Sequence, residues 1–124
     1  MNWIVINIDW VLIVSGLLTC SMLLMALAPR LAMRLTFGED APGPVANLIA
    51  RSWGAMIFAS GLMLIYAAWH AEARLPILLY SIVGKLGFIA LALAEPRVRR
   101  RAMPAVVIDL AIVALLSWYL IAMR

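Results

Sequence analysis

The stretch LPILLYSIVGKLGFIALALA, residues 75–94, decides how this chain is read. It is long and apolar enough to cross a bilayer as a helix, which takes about 20 residues, yet it carries a lysine, Lys85, near its middle. An ionisable group at that depth costs roughly 2.5–3.5 kcal/mol on insertion scales. From the midplane the ammonium cannot snorkel to either interface. A compensating group is therefore required from elsewhere in the chain.

Working outward, the whole 124-residue sequence belongs to the same class. Its hydrophobic content is 67% and its charged content 13%, against about 25% charged residues in a soluble domain. Four segments are long enough to span: Trp3 to Leu27, Leu48 to Trp69, Leu75 to Ala94 and Pro104 to Ala122. Nothing alternates with the period of a barrel strand, and backbone in lipid must satisfy its own hydrogen bonds. The expected fold is all-α, a single integral membrane domain over residues 1–124 built as a four-transmembrane-helix bundle. Ala26-Leu27-Ala28 resembles a signal-peptidase site, but Asp9 near the start, the lack of a basic leading region and Pro29 directly after it favour a retained helix.

The formal charge of +4 comes from arginines gathered in the gaps between apolar segments, so it reports topology and lipid headgroups rather than nucleic acid, for which no motif is present. The gap from Pro29 to Asn47 opens with Arg30, Leu31, Arg34, Leu35 and Phe37, spaced for a short interfacial helix. Gly38 to Pro44 then breaks it. Arg97, Arg99, Arg100 and Arg101 fill the gap before the fourth segment and are candidates to hold anionic headgroups. The gap between segments two and three offers Arg74 beside His70 and Glu72, with Arg124 at the terminus. Arginine marks the cytoplasmic side, so both termini are expected outside, N-out/C-out.

Trp3, Trp10, Tyr66, Trp69, Trp118 and Tyr119 would then gather at the outer interface, with Trp53 alone at the inner one. Small residues at Ala46, Ala50, Gly54 and Gly61, and at Gly84 and Gly87, are expected to let the second and third helices approach closely.

Span length tests which charges lie inside. A first helix beginning near Ile8 still spans, which leaves Asp9 at the outer headgroups, with a site shared with His70 or Arg74 as the rival reading. Arg51 can likewise snorkel from a helix starting at Ser52. Asp109 has no such escape, because a helix starting after it keeps only about 14 residues. Lys85 stands nine residues before the inner end of one helix and Asp109 five residues after the start of the next. Their depths differ by about 6 Å at 1.5 Å per residue, so a Lys85–Asp109 pair is expected, with Arg51 near enough in depth to join. Such a pair either fixes the register of the two helices or, as an intramembrane charge, serves a function: moving a proton or binding an anionic headgroup.

Other signals are weaker. The lone His70 with scattered carboxylates makes no metal site. The single cysteine, Cys20, sits in the first apolar segment as a packing residue, and the eight methionines fill gaps between helices. Ser15, Thr19, Ser21, Ser60, Ser81 and Ser117 can bond back to their own helices. No nucleophile elbow or glycine-rich phosphate loop occurs, and no cofactor is indicated.

Arg51-Ser52-Trp53-Gly54, Gly61-Leu62, and Gly84-Lys85 followed by Phe88 resemble the arrangement in small bacterial four-helix membrane proteins of the DoxX-like and DUF4345-like kind. The resemblance covers about a third of the chain, implies a four-helix membrane bundle in a bacterial inner membrane, and carries no catalytic residue across. Small multidrug transporters and fluoride channels match in length but not in motifs. Three function classes follow in order: an accessory or interaction protein, a homo-oligomer or the companion of another membrane protein; a membrane enzyme or carrier for a lipophilic molecule; and a proton-coupled transporter with a polar path from Asp9 to Lys85, Asp109 and Arg51.

Overall fold

A computed structural model of the chain describes residues 3–39 and 43–122. They form α1 (Trp3–Ile6), α2 (Ile8–Cys20), α3 (Leu23–Leu27), α4 (Pro29–Phe37), α5 (Pro44–Trp69), α6 (Arg74–Ala94) and α7 (Pro96–Ala122), with a 3-10 turn, Ala71–Ala73, before α6. Four stretches are long and apolar enough to span: Ile8–Leu27, Pro44–Trp69, Ala71–Ala94 and Pro96–Ala122. Arg124, counted above among the outer arginines, and part of the expected break after Gly38 lie outside the described residues.

The boundaries differ from expectation for local reasons. The chain turns at Asn7, so the first span starts at Ile8 and leaves Asp9 in the first turn of α2. The same span is interrupted at Ser21 and Met22. There the Thr19 and Ser21 hydroxyls donate to the carbonyls of Ser15 and Leu18, and the backbone tightens to bonds three residues apart. The second span starts at Pro44, whose fixed φ suits the first position of a helix and whose missing N–H is no loss there. Pro96 plays the same part for α7. The helix therefore takes in Arg97 to Arg101, good helix formers, and runs through Pro104 instead of starting there. The interfacial helix over Pro29–Phe37 forms and stops at Gly38, left-handed at φ +85°.

Helix α2 packs mainly on α5, and α6 on α7, giving two antiparallel pairs that close on each other. Glycines make the first pair close. A Cβ at Gly16 would stand 2.7 Å from the Gly61 carbonyl, one at Gly61 2.8 Å from the Gly16 carbonyl, and one at Gly54 2.7 Å from the Ala26 backbone nitrogen. The close approach thus joins the first and second spans. Gly84 and Gly87, expected to bring the second and third together, face open space.

Leu12, Leu64, Leu78 and Leu116, one from each span, are fully buried in a cluster with Ile8, Ile77, Ile112 and Tyr119 at the end of the bundle that carries Asp9 and Arg74. At the arginine-rich end the core divides into Met25, Ala32, Met33 and Ala50 on one side and Ile89, Ala92, Ala102 and Val106 on the other. The stack of Phe37, Trp53 and Phe88, with centroids 5.8–6.4 Å apart, bridges them. Between the apolar cores, beside the buried glycines Gly16 and Gly61, the buried side chains are polar: Ser15, Thr19, Ser60, Ser81 and Lys85.

Candidate functional site: a polar layer inside the bundle

Helix α6 turns Ser81 and Lys85, four residues apart, to the same buried face. Lys85 Nζ lies 3.1 Å from Asp109 Oδ1 on α7, and the side chains of the pair are 10% and 21% exposed. It also donates to Thr19 Oγ1 on α2 at 3.1 Å. The Thr19 hydroxyl sends its own proton to the Ser15 carbonyl at 2.8 Å, which leaves its lone pairs for the ammonium. One lysine thus ties three helices together.

The layer is incompletely satisfied. Among the described residues the third ammonium N–H and Asp109 Oδ2 take no partner, and the Ser81 hydroxyl is buried without one. Thr19 was legible only as a residue bonding to its own helix. A depth count would have found it, since it stands eight residues before Leu27 just as Lys85 stands nine before Ala94.

Arg51 does not join the pair. Its Nε donates to the Ala26 carbonyl at 2.9 Å, one of the last carbonyls of α3, left without an intrahelical donor where the helix stops at Leu27. Asp9 is 63% exposed and binds Arg74, with Nη2 3.0 Å from Oδ1. Arg74 also donates to the last carbonyls of α5, Ala67 at 2.7 Å and Ala68 at 2.9 Å, and approaches the Tyr119 hydroxyl at 3.4 Å. His70 stays out of this network: its ring stacks on Tyr66 at 3.9 Å, with Nδ1 3.0 Å from the Tyr66 carbonyl.

At the other end, Arg97 pairs with Glu39 at 3.1 Å and Arg99 donates to the Leu93 carbonyl at 2.7 Å. The Arg101 side chain lies over Gly38, while Arg100 is exposed. A shallow cleft of about 250 Å³ opens between the starts of α4 and α5, lined by Ala28, Pro29, Arg30, Leu31, Asn47 and Arg51. No group of three His, Cys, Asp or Glu side chains capable of holding a metal comes together among the described residues.

Compared with known proteins, the chain matches no family model, no curated protein and no solved structure.

Proposed function

We propose that this chain is a multi-pass protein of a cell membrane, with the Asp9–Arg74 end outside, acting as an accessory or interaction protein whose polar layer locks the bundle and offers a docking point. Membrane placement is supported by the helix surfaces. Only 28–33% of the most apolar window of each span is buried, an arrangement suited to hydrocarbon rather than water. Orientation is supported by Arg30, Arg34, Arg97, Arg99, Arg100 and Arg101 sharing one end, where anionic headgroups would meet them. The bacterial inner membrane is the compartment that the DoxX-like resemblance implies.

The observation that carries the interaction reading is Asp109. Oδ1 is taken by Lys85, whereas Oδ2 is unpartnered among the described residues and the side chain is 21% exposed. Its neighbours Ile108 and Leu110 are exposed apolar residues. An unsatisfied polar oxygen in hydrocarbon costs several kcal/mol, which a donor from another membrane helix would remove. A second copy of the chain is the simplest source. Native mass spectrometry of the protein in mild detergent tests this. An oligomer or protein complex is expected, lost when Lys85→Met and Asp109→Leu are combined. A bare monomer retaining a small lipophilic molecule would replace the reading.

A carrier or enzyme for such a molecule is the second reading, favoured by the unpartnered Ser81 hydroxyl one turn from Lys85. Proton-coupled transport ranks last, because the Leu12, Leu64, Leu78 and Leu116 cluster lies between Asp9 and Lys85.

A further inference from the structure

We infer that the cleft between the start of α4 and the start of α5 binds the phosphate group of an anionic phospholipid. Arg51 enters it already oriented. Its Nε is fixed on the Ala26 carbonyl, and its two terminal nitrogens have no partner among the described residues. Asn47 stands one turn earlier on the same face of α5 and lines the same cleft. Its carboxamide likewise makes no hydrogen bond among the described residues. Arg30, in the first turn of α4, supplies a second guanidinium to the wall, and no carboxylate occurs among the described lining residues. A phosphate diester offers several acceptor oxygens and one negative charge, the geometry a guanidinium fork recognises.

The rest of the cleft argues for a lipid over a free ion. Ala28, Pro29 and Leu31 form an apolar wall, and Leu31, Leu48 and Ile49 carry that surface outward as exposed side chains. A polar floor with an apolar rim, at the end of the bundle where the arginines gather, fits an amphiphile at the level of its headgroup. Arg97 is paired with Glu39, and Arg99, held through its Nε on the Leu93 carbonyl, does not line the cleft, which makes Arg51 the better-placed guanidinium. The inference rests on the membrane placement proposed above and not on the orientation.

The test is native mass spectrometry of the full chain exchanged into detergent with either phosphatidylglycerol or phosphatidylcholine. One phosphatidylglycerol per chain is expected to stay bound, phosphatidylcholine to wash off, and millimolar inorganic phosphate not to compete. Arg51→Gln should weaken retention about fivefold, the size of one cation near an anionic lipid surface. Because Arg51 also caps Ala26, Asn47→Leu is the second variant; it leaves that cap in place and should weaken retention as well. Arg100→Gln should change nothing. Equal weakening by Arg100→Gln and Arg51→Gln would overturn the inference, since only diffuse charge would then be at work. Equal retention of phosphatidylcholine, or displacement by inorganic phosphate, would overturn it too. Failure of the membrane placement reads differently: alkaline carbonate would release the chain from membranes.

Discussion

Thr19 and Lys85, 66 residues apart in the chain, meet at 3.1 Å in the middle of the bundle. The contact joins the glycine-packed α2–α5 pair to the α6–α7 pair in the interior, where the Arg74 contacts with Asp9, Ala67 and Ala68 join them at one end of the bundle. A directional bond at that point sets the register at which the pairs dock, which apolar surfaces alone specify poorly.

Thr19→Val keeps the shape and removes the acceptor. Stability of the purified protein, followed by thermal or denaturant unfolding in detergent, should fall by about 1–2 kcal/mol, as for a hydrogen bond to a charged group partly re-made in the unfolded state. Thr19→Ser should recover most of the loss. If valine and serine behave alike, the hydroxyl has no part in docking.

The glycines separate by position. Gly16→Ala and Gly61→Ala drive a methyl group against backbone oxygens at 2.7–2.8 Å, so the helices must part, with losses of about 1–3 kcal/mol. Gly84→Ala and Gly87→Ala meet nothing within 4 Å and should stay within about 0.5 kcal/mol of the parent. Unfolding midpoints of the four variants decide it, and a loss at Gly84 or Gly87 matching that at Gly16 would place the tight contact on the wrong pair of helices.

Orientation is open to labelling. In a Cys20→Ser background, Glu72→Cys should react with an impermeant maleimide added outside intact cells, and Arg100→Cys only after the cells are opened. The reverse pattern would invert the topology.

Much of the architecture was legible because long apolar runs bounded by charged gaps mark helices long enough to span a bilayer. Span length gave four helices, and arginine placement grouped the loops. The depth arithmetic that set Lys85 opposite Asp109 matches their 3.1 Å separation, since two adjacent antiparallel helices of fixed rise leave few choices of partner. Rotation about the helix axis was not legible. Small residues occur on α5 and α6 alike, and only packing tells that Gly61 faces α2 while Gly84 faces outward. Depth alone left Arg51 either at the interface or beside the pair. The structure takes the first course, with its Nε on the Ala26 carbonyl at the open end of α3. Helix α7 was read too short because an arginine run reads as a loop by composition, though Pro96 starts a helix there.

The most direct measurement is the stability of Lys85→Met, Asp109→Leu and the two combined, unfolded under the same conditions. Each single change strands one charge inside the bundle, and a loss of about 2 kcal/mol or more is expected. The pair together should recover most of it, with a coupling of about 1 kcal/mol or more. Losses that simply add would contradict the ion pair as the bond that locks the bundle.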